Sequence, residues 1–246
     1  IIKMRFRDKI KKPQRPVVTY EILPPREKDG TLNSYAEKIS SLLSQTHIDA
    51  INIPEVREEE GRGKRPVVNT SRAEPRHFGR LLQDMVGVES IVNRVVVHNE
   101  LKNQIKWFRE THEKYEIENM IIVGGESSKI KYIGPTVNQI LELVAFKYNN
   151  NGGDILCGGI TLPTRLNESK NLIRKSGNGA EFFTTQVLCD SENIVKMMNK
   201  YQERCDALNT FPRRILLSFA PISSEKNIQF LKWLGVEISK DTEKYL

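Results

Sequence analysis

A chain of 246 residues with 38% hydrophobic and 28% charged side chains can bury a full core in one large α/β domain, and this composition excludes a disordered or fibrous chain. Its longest apolar runs, Val92–Val97 and Met120–Val123, are far too short to cross a bilayer, and its first residues are basic and interrupted where a secretory leader needs an apolar core. We therefore expect a soluble, cytoplasmic protein. The net charge of +7 is unevenly placed: residues 1–15 carry Lys3, Arg5, Arg7, Lys9, Lys11, Lys12 and Arg15 against Asp8 alone. Such a basic arm is of the kind that meets nucleic acid, an anionic membrane or an acidic protein surface. It lacks the interleaved aromatics of a base-stacking surface, so it reads as a solvated leader with neither a membrane nor a specific nucleic acid as partner.

Residues 16–246 read as one domain in which short β-rich runs alternate with helical patterns, the rhythm of consecutive βα units. The first strand is expected over Val17–Ile22. In the helix after it, Leu32, Tyr35, Ala36, Ile39, Leu42 and Leu43 recur at three and four residues and form one apolar stripe. The second strand is Ala50–Ile53. The stretch Pro54–Pro75, with EVREEEGRGKRP and NTSRAEP, has no apolar period and reads as a mobile surface excursion. Further strands are expected at Ile91–Val97, Asn119–Val123, Asp154–Cys157, Ala180–Thr185 and Arg214–Phe219, with a helical stripe of Ile140, Leu141, Val144 and Ala145 before the fifth. Almost every connection is a helix and none is a tight hairpin, so the sheet must be parallel with right-handed crossovers. Seven units are counted where the standard barrel closes with eight. The expected fold is a (β/α)8 TIM barrel that lacks its last βα unit or has an atypical one, left open or completed by another chain. Cys157, Cys189 and Cys205 form neither a CxxC pair nor a cluster with zinc spacing, and read as reduced, packed thiols with no metal.

A parallel barrel carries its chemistry where its strands end. Tyr20-Glu21-Ile22-Leu23-Pro24-Pro25-Arg26 ends the first strand, His98 follows the third, Gly124-Gly125-Glu126 the fourth, and Thr185-Gln186 ends the sixth. Desolvation on a buried strand favours the protonated form of Glu21 and suits it to give a proton near neutral pH; the other reading is a carboxylate held by an arginine or backbone donors. Gly124 and Gly125 let a backbone approach a flat or anionic ligand, but GGESSK is neither a dinucleotide fingerprint nor a P-loop. In NESKNLIRK, Asn171, Arg174 and Lys175 are spaced three and four residues apart, as on one helical face that holds a ribose and diphosphate; a solvated face has the same pattern.

Taken together, these segments resemble the methylenetetrahydrofolate reductase family, in the same order over about residues 17–235. YEILPPR is similar to that family's FEFFPP(K/R) motif, whose glutamate, here Glu21, is the proposed proton donor to the folate. ENMIIVGGE resembles its ALRGD segment, with Glu126 at the carboxylate. FFTTQVLCD resembles ITQ(F/L)FFD, whose glutamine, here Gln186, contacts the folate ring. His98 falls where the family has a flavin-contacting histidine and Tyr132 near a flavin-contacting tyrosine. ESKNLIRK is similar to the flavin-binding helix, which makes Glu168, Asn171, Arg174 and Lys175 the expected grip on the flavin, with Gly124 and Gly125 beside it. LSFAPI resembles PGI(L/M)PI and brings Phe219 to the substrate. The resemblance implies reduction of 5,10-methylenetetrahydrofolate, or a related methylene-pterin, to the 5-methyl form. The implied cofactor is FAD, with FMN less favoured, and NAD(P)H is the electron donor; family members associate, so a homo- or hetero-oligomer is expected.

The departures are specific. Gly124 stands where the family has arginine, Glu126 where it has aspartate, Pro54 where a threonine contacts flavin, and the last strand and helix have no counterpart. These support the alternative of a noncatalytic or accessory barrel completed by a partner subunit. A barrel lyase or aldolase is a third reading, for which no strand-end lysine pattern offers a Schiff base.

Overall fold

The computed structural model describes residues 4–12, 14–57, 66, 71–125, 130–240 and 243. Its strands are β1 (Thr19–Glu21), β2 (Ala50–Ile53), β3 (Glu89–Val95), β4 (Asn119–Val123), β5 (Leu156–Thr161), β6 (Phe182–Val187) and β7 (Arg214–Ser218). They pair in parallel in chain order as one seven-stranded sheet, and among the described residues β7 does not pair with β1. The connections are α2 (Leu32–Leu43), α3 (Pro75–Val86), α4 (Leu101–Glu113), α5 (Val137–Glu142) with a π turn over Leu143–Tyr148, α6 (Glu168–Gly177) and α7 (Glu192–Ala207); α8 (Glu225–Trp233) follows β7. The helix starts are chemically marked. Glu74 accepts from the N–H groups of Arg76 and His77 ahead of Pro75, and Thr136 and Gln139 cap each other's backbone.

Strand residues alternate between two apolar clusters, which is why these strands read as near-continuous apolar runs. Ile51, Ile53, Val92, Met120, Ile122, Cys157 and Phe183 belong to the larger cluster, with Ala36, Phe78, Phe108, Ile140 and Leu172 of the helices. Ala50, Ile91, Ile121, Leu156 and Phe182 face the other way. At the centre of that second cluster sit Phe6 and Ile10 of α1 (Phe6–Lys11), 0% and 2% exposed, with the Phe6 ring edge-on to Phe182 at 5.8 Å. One short helix can touch β2 through β6 at once only if the sheet curls around it. The sheet is thus the wall of an open barrel, and α1 plugs its lower end.

This corrects the solvated-leader expectation. The segments entering β2 to β6 each bring one carboxylate to the N-terminal segment: Asp49 pairs with Lys9 (3.1 Å) and Arg15 (2.7 Å), Asp154 with Arg5 (2.9 Å) and Arg7 (2.6 Å), and Glu181 with Lys11 (2.5 Å). Glu118 pairs with Arg5, and Glu89 accepts from the Phe6 N–H. Arg214 Nε donates to the Ile10 carbonyl at 3.1 Å from β7. The basic residues of the arm meet an acidic ring of the same chain.

The ring also explains shifted strand starts. The Val18 N–H is taken by Asp49 Oδ2 at 2.9 Å, so the β1 ladder begins at Thr19 rather than Val17. Asp154 is occupied by arginines, and β5 begins at Leu156. Cys157 and Cys205 are packed, at 2% and 1% exposure. Residues 58–65 and 67–70, most of the expected surface excursion, lie outside the described residues. No helix among the described residues is long and apolar enough to cross a membrane.

Candidate functional site

Glu21 is the last residue of β1 and stands in register with Asn52 on β2. Asn52 Nδ2 donates to its Oε2 at 2.7 Å. Glu21 is exposed and β1 as a whole is only partly covered, which corrects the expectation of a buried strand: β1 is an edge of the open sheet among the described residues. Burial pushes its pKa above the ordinary carboxylate value, partly offset by the Asn52 hydrogen bond. Of the two roles read from the sequence, an arginine clamp is not formed among the described residues; the partner is a neutral amide.

The neighbouring strands add polar groups that the sequence reading did not single out. Asn52 is 6% exposed and Asn93, two residues beyond its register partner Ile91, is 7% exposed; the Oδ1 atom of each is buried without a hydrogen-bond partner. Beyond them, Thr184 and Ser218 share a hydroxyl hydrogen bond at 3.1 Å. In the outer layer the Arg94 guanidinium is held by Glu55 and Gln104, both at 2.9 Å, and Glu55 also accepts from the Val95 N–H at 2.8 Å. Arg94 and Arg76 lie over the Trp107 ring at 4.7 and 4.9 Å. This cluster fixes the chain leaving β2, at Pro54. An arginine inside the apolar run IVNRVVV was the available signal, because a buried guanidinium requires partners.

His98 and Tyr132, expected beside a flavin, meet each other edge-to-face at 5.3 Å. The loop after β4 folds back on the loop after β3, where the Gly134 N–H donates to the Val97 carbonyl at 2.9 Å. The flat group against Gly125 is Tyr132 itself: a Cβ built on Gly125 would lie 2.2 Å from the ring, whereas one on Gly124 would meet a Val137 methyl at 3.2 Å. Gly125→Ala is therefore expected to displace the far end of the Tyr132 side chain and to destabilise the protein modestly. Thermal unfolding of Gly125→Ala with and without Tyr132→Ala tests this, since removing the ring should erase most of the alanine's added cost. Glu126, the expected second carboxylate, lies outside the described residues.

The α6 residues divide, correcting the single-face expectation. Lys175 is buried and donates to the Ile160 carbonyl at 2.6 Å, with its pKa lowered by burial. Glu168, 2% exposed, accepts from the Leu162 N–H at 3.2 Å and from Asn171 at 2.9 Å. Arg174 is exposed and donates to Asn171 Oδ1 at 3.1 Å. Lys175 lies one position, or roughly 100°, round the helix from Arg174, which is enough to turn it to the sheet. Gln186 sits at a register shift of β6; its Nε2 donates to the Leu234 carbonyl at 3.2 Å and its Oε1 accepts from the Val187 N–H at 3.1 Å. It faces the segment after α8. Phe219, beyond β7, is 75% exposed, as are Leu23 and Leu166 at 38% and 85% beyond β1 and β5, so the loops that follow these strands carry exposed apolar side chains.

Solved structures share this architecture. A protein from Clostridium thermocellum, described as binding two copies of 5-methyl-5,6,7,8-tetrahydrofolic acid, matches with a TM-score of 0.77 at 20% identity, over 98% of this chain and 79% of its own. A putative lyase/mutase from Burkholderia cenocepacia matches with 0.54 at 9% identity over 94% and 77%, and an oxaloacetate acetylhydrolase with 0.51 at 8% over 87% and 79%. At these identities the likeness is one of fold. No curated protein sequence matches. The family model for methylenetetrahydrofolate reductase matches residues 5–244, nearly the whole chain, from the plug helix past α8. This chain belongs to the methylenetetrahydrofolate reductase family.

Proposed function

We propose that the chain binds a reduced folate at the carboxyl ends of its strands and reduces 5,10-methylenetetrahydrofolate, or a related methylene-pterin, to the 5-methyl form with electrons from NAD(P)H. The observation that carries this reading is Glu21, an accessible carboxyl held by Asn52 at the end of β1, with a raised pKa, at the family's proton-donor position. Such a group keeps its proton to a higher pH than an ordinary carboxyl does and gives it to a ring nitrogen as the folate's five-membered ring opens. Gln186 both donates and accepts, which suits the amide-like edge of a pterin; to reach it, the side chain must leave Leu234. Cytoplasmic residence and assembly as a homo- or hetero-oligomer belong to the same proposal.

Members of the family generally use a flavin, FAD being the form expected here, and when bound it supplies the hydride carriage. The residues fit it at four positions. His98 and Tyr132 offer aromatic walls beyond β3 and β4, and Asn171 and Arg174 are the polar pair left outward on α6. Glu168 and Lys175 bind the end of β5 and the loop beyond it, and hold α6 in place. Arg174→Ala is expected to weaken flavin retention about tenfold, the worth of one charge-assisted hydrogen bond. Flavin content after gel filtration measures it, and a fully loaded variant would return this face to solvent.

A second reading, a folate-binding barrel that does not reduce, is favoured by three observations: Gly124 lacks the family's cation, Pro54 supplies neither hydroxyl nor N–H, and Tyr132 covers Gly125. The structurally similar C. thermocellum protein is described as binding 5-methyl-5,6,7,8-tetrahydrofolic acid. A visible spectrum of the purified protein with added FAD, then NADH or NADPH, separates the two. A band at ~450 nm that bleaches with a nucleotide and returns with methylenetetrahydrofolate supports the reductase. Uptake of 5-methyltetrahydrofolate without any flavin band supports the second reading, and uptake of neither sinks both.

A further inference from the structure

The Glu21 carboxyl has a partner whose chemistry the reaction above leaves unused. Asn52 stands opposite it in the β1–β2 register, donates Nδ2 to Oε2 at 2.7 Å, and buries an Oδ1 that has no hydrogen-bond partner. Asn93 faces the same interior from β3, and its Oδ1 is buried and unpartnered too. A carboxamide has a donating end and an accepting end. With Glu21 ionised, the NH2 of Asn52 serves the carboxylate and its oxygen is left unsatisfied, which is unfavourable in a buried place. With Glu21 protonated, a half-turn of the amide brings Oδ1 to the carboxyl O–H and sends the NH2 toward β3.

We propose that Asn52 is a positioning residue for Glu21, a carboxamide that turns between these two arrangements and keeps the carboxyl aimed at the pterin before and after proton transfer, with Asn93 accepting from the turned NH2. The inference rests on Glu21 being the proton donor of the reading above. β2, which pairs with β1, and β3, the next strand in order, present neutral Asn52 and Asn93 to the carboxyl's side of the sheet. The charged and titratable groups on the flanking loops are engaged elsewhere: Arg26 with Asp29, Arg72 with the Pro24 carbonyl, Arg94 with Glu55, and His98 against Tyr132.

The test is a pH titration by NMR of the ligand-free protein, with Glu21 assigned through Glu21→Gln and the Asn52 side-chain NH2 through Asn52→Ser. The expected result is that the Asn52 NH2 signals titrate with the Glu21 midpoint and that their NOEs pass from the Glu21 methylene protons to Asn93. Asn93→Leu, which removes the acceptor needed only when Glu21 is protonated, should lower that midpoint by about half a pH unit. A merely structural asparagine would keep its NOEs across the titration, and that outcome overturns the proposal, as does an unmoved midpoint in a folded Asn93→Leu. If Asn93→Leu does not fold, the wild-type NOEs decide alone. Because no folate is present, a protein that failed to bind folate would still give a clear answer.

Discussion

Phe6→Ala is expected to destabilise the protein by about 3–5 kcal/mol, the cost of emptying a fully buried aromatic site, and to lower the urea midpoint accordingly. Phe6 is 0% exposed in the inner cluster, edge-on to Phe182 of the sheet. The ion pairs around it are individually weaker. Arg5 and Lys11 are each nearly half exposed, and pairs of that kind contribute about 0–1 kcal/mol. Each exposed pair therefore contributes less than the apolar anchor, while the acidic ring selects where the helix sits. Lys12→Ala, at an exposed position of the same segment, should leave the midpoint unchanged. A Phe6→Ala midpoint equal to that of Lys12→Ala would mean that the plug adds nothing to the fold. The ring should also be felt on the acid side. Burial raises the pKa of Asp49, but Arg15, the Val18 N–H and Lys9 outweigh it and hold the carboxyl below its ordinary value; Asp154 is held low in the same way by Arg5 and Arg7. A carboxylate depressed in the folded state stabilises in full above its unfolded value of ~3.9 and loses that contribution as pH falls through the folded one. Stability carried by the ionisation of these two carboxyls is thus lost below about pH 4.

Strand number, order and parallel pairing were legible because they follow from local rules: apolar runs of strand length, separated by helical stripes, leave one way to connect. Ala50–Ile53 and Asn119–Val123 match to the residue. What was hidden depends on contacts between distant positions. Asp49, Glu89, Glu118, Asp154 and Glu181 look like unrelated surface acids in the chain, and only the curl of the sheet gathers them under the basic arm. Phe6 and Ile10 were present as an i, i+4 pair, too short an apolar pattern to outweigh seven cations. The candidate site residues were legible by their place along the strands and less so by orientation. Glu21, His98 and Gln186 do sit at or just beyond strand ends, but whether a side chain there faces the mouth is decided by one step of helix rotation, as between Arg174 and Lys175, or by a strand irregularity, as at Gln186.

Glu21→Gln is expected to leave the fold and the nucleotide-dependent bleaching of bound flavin intact while reducing methylenetetrahydrofolate turnover by about 10²–10⁴-fold, the usual worth of a positioned general acid. Glutamine keeps the side chain's size and an oxygen for the Asn52 NH2, so the hydrogen bond at 2.7 Å survives. What is lost is the proton. Because Glu21 titrates above an ordinary carboxylate, the wild-type folate half-reaction should slow as pH rises through that raised value, while the variant's residual rate should show no such limb. Rapid mixing of the reduced protein with methylenetetrahydrofolate over a pH series reads both quantities. Equal rates for the two proteins would remove Glu21 from the reaction and move the search for the acid to other groups beyond the strand ends. A slowed variant that kept the wild-type pH limb would instead mean that Glu21 orients the folate while another group gives the proton.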